Sequence, residues 1–259
     1  MIDLEKEDIM GKEVMKKYKH LLIDVPGYYL QVSNVDRRLV DSISLRGKKL
    51  LNVGCGGYII SDIYFAMKGA DVTSIDIEKW VIDGAKERIA KLDNKEDIKL
   101  EVMLADGRQL PFPDNSFDVV TSFSAIEHIE KDEDRLKALM EMARVVKPNG
   151  HVVITGPNLL NLPVTFFSGR LHKRIGGFEH RYTRGELKDM YKKCGLKLEE
   201  FDAESVYVVD HNLLKDWLPF MGKVPTSFFK PVSACMRVLN NISFLKIFGM
   251  RMGIKGRKV

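Results

Sequence analysis

Leu50-Leu51-Asn52-Val53-Gly54-Cys55-Gly56-Gly57 is an apolar run that stops at a glycine turn, and Thr73-Ser74-Ile75-Asp76 follows it about twenty residues on. Lys49 to Val53 reads as a buried parallel strand, short, apolar and bounded by a turn. Gly54, Gly56 and Gly57 let the backbone turn sharply and come close to a ligand that a Cβ would push away. Asp76 then falls at the end of the next strand, where a carboxylate accepts the hydroxyls of a ribose. Together the two features describe a nucleoside pocket.

Spacing separates the two cofactor classes that use such a turn. A nicotinamide fingerprint, G-x-G-x-x-G, begun at Gly54 and Gly56 needs a third glycine where Ile59 stands. An acid or amide followed by G-x-G is satisfied by Asn52, Gly54 and Gly56, and in this the chain resembles the class I S-adenosylmethionine-dependent methyltransferases. That family often has a further glycine where this chain has Tyr58.

Three more blocks resemble the family in its order. Leu104-Ala105-Asp106-Gly107-Arg108 closes a third strand, and Pro111-Phe112-Pro113-Asp114-Asn115 turns into a fourth, Phe117-Asp118-Val119-Val120. Ser124-Ala125-Ile126-Glu127-His128-Ile129 follows that strand, and Lys147-Pro148-Asn149-Gly150 ends a helix and opens the fifth. Proline cannot continue a helix, and Asn-Gly favours positive φ. Glu179-His180-Arg181-Tyr182-Thr183-Arg184-Gly185-Glu186-Leu187 resembles the block after strand five in the branch that includes quinone-biosynthesis enzymes. The resemblance implies S-adenosylmethionine as cofactor, bound by Asn52, Gly54, Cys55 and Gly56, with Asp76 on the ribose and Ile77 on the adenine face. It further implies Asp106 and Gly107 at the adenine edge and Ser124 near the methionine end.

Alternating strand and helix signals from Lys49 to about Tyr207 predict a doubly wound α/β fold, a seven-stranded and mostly parallel sheet. Strands are placed at 49–53, 71–76, 98–105, 117–122, 150–156 and 197–208. Phe248-Gly249-Met250-Arg251-Met252-Gly253-Ile254-Lys255 alternates as a strand does and reads as the last strand; the family resemblance implies that it is antiparallel and pairs with the strand before it, which makes 209–247 a helical insertion between the two. A helix over 132–146 places Leu136, Leu139, Met140, Ala143 and Val146 on one core face. Thr183 and Glu186 form a capping box, and Gly195 supplies the left-handed terminator. Two amphipathic helices, 5–20 and 34–45, precede the sheet, the second with Asp36 in its first turn after Ser33. The expected organisation is one domain over 1–259: N-terminal helices to 47, a cofactor-binding core over 48–208, the insertion, and the last strand over 248–259.

With 259 residues, 45% hydrophobic and 30% charged, the chain has the balance of a globular protein with a sizeable core. Cys55, Cys194 and Cys235 are too few and too scattered for a disulfide framework or a zinc site, which suits a reducing, cytoplasmic setting. The acidic N-terminus has no signal-peptide pattern, and no apolar stretch reaches the ~18 residues of a spanning helix. From His211 onward there are nine Lys and Arg and one acid, Asp216, among many aromatic and aliphatic side chains. Such a segment suits a lid over an apolar or lipid-like acceptor, a homodimer surface, or peripheral membrane contact through 211–247.

Methyl transfer from a sulfonium needs alignment and exclusion of water more than acid–base chemistry. The candidates for touching the acceptor or taking its proton are His128, His180 and Tyr182, the last two alternatively anchoring their loop. In some quinone-type O-methyltransferases a Glu-x-x-Glu-His motif serves a divalent metal; here its first position is Ser124, and Glu127 with His128 does not complete a site, so no metal is expected. Cys55 reads as a small loop residue, and His172, Lys173 and Arg174 as solvated loop charges. A non-catalytic cofactor-binding or partner-activating protein is the competing reading. An RNA methyltransferase is disfavoured by Thr121-Ser122-Phe123-Ser124, which lacks the Asn/Asp-Pro-Pro-aromatic motif.

Overall fold

The structure is a computed structural model, and it describes residues 34–57, 59–92, 98–161, 178–203, 249 and 251–259. The expected helix at 5–20, the cap at Ser33, His172 to Arg174, the insertion 209–247 and Cys235 lie outside these residues.

Seven strands form one sheet: β1 (Lys49–Val53), β2 (Asp71–Asp76), β3 (Lys99–Leu104), β4 (Phe117–Phe123), β5 (Val146–Pro157), β6 (Leu196–Ala203) and β7 (Arg251–Lys258). Their order is β3-β2-β1-β4-β5-β7-β6, with β7 antiparallel to both its neighbours and the pairs among β1 to β5 parallel. The connecting helices are α1 (Asn34–Asp41), α2 (Ile60–Met67), α3 (Lys79–Ala90), α4 (Asp132–Val145) and α5 (Arg184–Lys193), with a 3₁₀ turn at Ile126–His128. Among these described helices none is long and apolar enough to cross a membrane.

The central strands are apolar on consecutive residues because both faces of the sheet are covered. Leu51, Val53 and Val120 turn to α4 and α5, where they meet Leu139, Met142, Leu187 and Tyr191. Leu50, Val72, Val119 and Val153 turn the other way, onto α1, α2 and α3 through Leu39, Tyr64, Phe65 and Ala85. A sheet sandwiched this way leaves its strand ends as the place for a ligand, above all at the β1/β4 boundary where the strand order reverses.

The expected strands are found where the pattern put them, with small changes at the edges, and 204–208 of the sixth lie outside the described residues. β5 starts earlier: Val146 pairs with Phe117, then Lys147 to Gly150 loop out, Asn149 at φ +63, before His151 pairs with Val119. The capping box is present, with the Glu186 amide donating to Thr183 Oγ1 and the Thr183 amide to Glu186, and Gly195 has φ +68. Two readings are corrected. The helix expected over 34–45 ends at Asp41, where that carboxylate accepts from the Tyr64 hydroxyl and Lys68. Met140 is exposed, because the buried stripe of α4 runs through Arg135, Ala138, Leu139, Met142 and Ala143.

The antiparallel β7 closes the sheet at close quarters. A Cβ on Gly253 would stand 2.5 Å from Thr155 Cγ2, 2.6 Å from Leu39 Cδ1 and 3.1 Å from the Ile154 carbonyl oxygen. Gly253→Ala is therefore expected to overpack the β5/β7/α1 contact and cost about 1–3 kcal/mol, read from denaturant unfolding. An unchanged midpoint and slope would show that the contact is loose.

Candidate functional site

The glycine turn at the tip of β1 is bonded to the end of β2. The amides of Gly54 and Cys55 both donate to the Ile75 carbonyl, at 2.8 and 3.0 Å, and the Gly56 amide donates to Asp76 Oδ2 at 3.1 Å. Asp76 Oδ1 accepts from the Glu78 amide at 3.0 Å. These three successive loop amides are thus committed within the protein, whereas a pyrophosphate cradle needs free amides aimed at the anion. The turn is closely packed instead. Gly54 has φ +79, and a Cβ there would lie 2.2 Å from the Ala125 Cβ.

Above this turn opens a cavity of ≈710 Å³ at the ends of β1 to β4. Gly54, Gly56, Asp76, Ile77, Asp106, Gly107, Ser124 and His128 all line it, so eight of the twelve residues expected at the site share one wall. Ile77 is 56% exposed there, an apolar side chain on an open face. Asp106 is clasped by Arg108, whose guanidinium donates to both carboxylate oxygens and holds the acid below the usual carboxylate range. Ser124 takes φ +48, a left-handed conformation uncommon away from glycine, and its amide donates to the Thr155 carbonyl.

The 3₁₀ turn separates two neighbours. His128 faces the cavity, and its Nδ1 lies 2.9 Å from the Phe178 carbonyl oxygen. A carbonyl only accepts, so Nδ1 carries the proton and the neutral ring keeps its lone pair on Nε2. Glu127 points inward and is buried, with Oε2 lacking a hydrogen-bond partner. Burial pushes its carboxyl up, to about 7, against the pull of His128, its own backbone, Arg251 and Ser124.

Asn52, Cys55, His180 and Tyr182 are not on the cavity wall. Asn52 is buried below the turn, its Nδ2 donating to Asp62 Oδ1 at 2.8 Å. Cys55 is half-buried, and burial, then the charges of Asp62 and Asp76, push its thiol up, which makes it inert as a nucleophile. His180 anchors its block: Nε2 donates to Glu186 Oε1 at 2.6 Å, and its amide donates to the Glu127 carbonyl at 2.8 Å. Tyr182 is 1% exposed with its hydroxyl unpaired, and burial followed by the charge of Glu127 pushes that phenol up. Sequence reasoning missed Arg108, Asp62 and Arg135. Asp62 carried a signal, an acid inside the apolar run Ile59-Ile60-Ser61-Asp62-Ile63-Tyr64-Phe65. Arg135 carried none, since its burial depends on the Ile129 and Glu130 carbonyls it reaches and on the Phe178 ring at 5.7 Å.

Residues 51–154 match the family model described as "Methyltransferase domain". The chain is 42% identical over 111 residues to a mitochondrial ubiquinone biosynthesis O-methyltransferase of Schizosaccharomyces pombe, covering 42% of this chain and 38% of that one. It is 34% identical over 129 residues to a ubiquinone biosynthesis O-methyltransferase of Pseudomonas entomophila, covering 50% and 51%. The matches therefore span about half or less of these relatives' lengths. A crystal structure of a SAM-dependent methyltransferase from Methanosarcina mazei superposes with a TM-score of 0.57 at 21% identity, over 82% of this chain and 92% of that one, which shows the shared fold.

Two expectations follow from this geometry. Gly54→Ala, strained at positive φ and colliding with Ala125, is expected to weaken binding of adenosine ligands at least about tenfold by calorimetry and to lower stability by about 1–3 kcal/mol. Near-normal affinity would mean the turn does not approach the ligand. Glu127→Gln tests the buried acid through pH. A carboxyl raised in the folded state favours folding fully below its unfolded value near 4.5, and that contribution is lost as pH rises to about 7. From pH 4.5 to 8, Glu127→Gln should gain up to about 3 kcal/mol on the wild-type protein in urea unfolding. Parallel pH curves for the two proteins would show that Glu127 titrates normally.

Proposed function

We propose that this protein, in which residues 51–154 are a class I S-adenosylmethionine-dependent methyltransferase domain, transfers the methyl group of that cofactor to an oxygen of a small, lipid-like acceptor of the quinone type. The observation that carries the reading is that Gly54, Asp76, Asp106, Ser124 and His128 all line one cavity. The residues fit the cofactor: a turn with no room for a Cβ, a carboxylate at the end of β2, and a second carboxylate held ionised as an acceptor.

When bound, S-adenosylmethionine supplies a methyl group on a positively charged sulfur. Asp76, oriented by the Gly56 and Glu78 amides, accepts the ribose hydroxyls with its remaining lone pairs. Asp106 accepts from the adenine amino group, and Arg108 keeps it an acceptor by holding it ionised. Ile77 packs on the base. His128 Nε2 would take the acceptor's hydroxyl proton as the cofactor's methyl group passes to that oxygen, and would become an imidazolium. The Phe178 carbonyl stabilises that imidazolium through Nδ1. Alignment in the cavity supplies most of the rate, on the order of 7–11 kcal/mol where geometry is good.

The chain works as one domain over 1–259 in this reading. Incubation with methyl-labelled cofactor and fractionated extract should place label in the organic phase. His128→Ala should lower that transfer by about 10²–10⁴-fold, with cofactor affinity within about threefold of wild type. Full transfer by His128→Ala would remove the base role, and label in no fraction would overturn the enzymatic reading.

A further inference from the structure

Ser74, Asn52 and Thr121 stand in one register row across β2, β1 and β4, immediately below the glycine turn, and all three are buried. Polar side chains on three adjoining central strands are costly unless they are bonded to one another or to a ligand. Thr121 Oγ1 donates to Asn52 Oδ1 at 3.0 Å, and Asn52 Nδ2 and Ser74 Oγ both donate to Asp62 Oδ1, at 2.8 and 2.5 Å. The row therefore converges on one carboxyl group, in the first turn of α2 and 1% exposed.

Its other oxygen, Oδ2, is buried without a hydrogen-bond partner. Asn52 and Ser74 face Asp62 from the strands and Cys55 from the turn, with Asp76 beyond it; no cation pairs with Asp62 among the described residues. A carboxyl oxygen left without a partner at this depth calls for an explanation. Asp76 stands beside the turn, and Asp62, whose proton affinity burial raises, adds a second negative charge beneath it when it ionises. Such a field favours a positively charged occupant of the turn.

We propose that Asp62, through its unpartnered oxygen beneath the glycine turn, reads the positive charge of the bound cofactor and so favours the sulfonium methyl donor over its demethylated product. The inference rests on the reading that this cofactor sits on the turn. The donor differs from the product by one unit of charge on sulfur, and one charge pair acting through protein of effective dielectric about 20 changes affinity by about tenfold. Burial raises the proton affinity of Asp62 in the free protein, and a bound cation lowers it. Donor binding therefore releases a proton from Asp62, and donor affinity rises with pH through the window between the two values. The product, neutral at sulfur, releases less, so its affinity is flatter.

Asp62→Asn keeps Oδ1 as acceptor for Asn52 and Ser74 and removes the charge. S-adenosylmethionine and S-adenosylhomocysteine are titrated into the wild-type and D62N proteins from pH 6 to 8, in two buffers of unequal ionisation enthalpy. The wild-type protein is expected to release more protons with the donor than with the product, and D62N to release equal numbers. D62N should lose about tenfold in the donor-to-product affinity ratio while its product affinity stays within about threefold. An unchanged ratio in D62N, with unchanged proton release, would overturn the role of Asp62. If D62N does not fold, the wild-type ratio alone decides: a rise with pH supports the role and a pH-independent ratio refutes it. Binding of neither ligand by the wild-type protein would instead overturn the cofactor reading.

Discussion

The bonds from the Gly54, Cys55 and Gly56 amides to the end of β2 set the geometry on which the pocket depends. Val53 pairs with Ile75 in register, so both strands end at the same level and the turn has only the β2 terminus to bond. That brings Asp76 against Gly56 and fixes its carboxylate by two amides. It also presses Gly54 onto Ala125, which follows β4, so β1, β2 and β4 meet at one point with no space for a side chain. A looser turn would open the cavity floor and leave the carboxylate free to rotate.

The far wall has a different origin. Ser124 is held by the Thr155 carbonyl, and the Thr155 hydroxyl donates to Asp36 at 2.6 Å while accepting from Arg251 at 3.0 Å. Arg251 also donates to the Asp36 carboxylate. A helix before the sheet, a central strand and the last strand of the chain thus meet behind Ser124. Breaking one member of such a charged cluster leaves the others without compensation and is strongly destabilising. Arg251 also pulls on the proton affinity of Glu127, which carries this coupling to the turn that bears His128.

Glu127 and His128 show what a single 3₁₀ turn does to neighbouring residues. With about three residues per turn, consecutive side chains diverge by ~120°. One faces solvent in the cavity and the other the core, where its carboxyl is pushed up. The pair reads as one motif in the chain and is two unlike environments in the fold. His180 and Tyr182 lie off the cavity wall with their ring centroids 4.9 Å apart, the His180 amide bonding the Glu127 carbonyl of the turn and the Tyr182 amide the Pro157 carbonyl.

By itself the sequence determined the positions of the strands in a doubly wound sheet, the glycine turn after β1, Asp76 and Asp106 at their strand ends, the capping box of α5 and a last strand; the order of the strands came from the structure. These features are local: backbone φ at a turn, period-two or consecutive apolar runs, and residues at the C-terminal ends of strands, which any parallel sheet of this winding directs to the same edge. Only the tertiary structure decided which polar residues face the cavity. Asn52 looked like a ligand contact but lies in a register row with Ser74 and Thr121, and a residue's side of the sheet depends on its pairing as well as its place in the chain. Met140 and Met142 are two positions apart on α4, yet one is exposed and the other fully buried, because the helix stripe is chosen by what it packs against. Asp62 and Glu127 became buried among groups on other elements and Arg135 against the carbonyls of the loop before its helix, and burial of a charged group is decided by those partners.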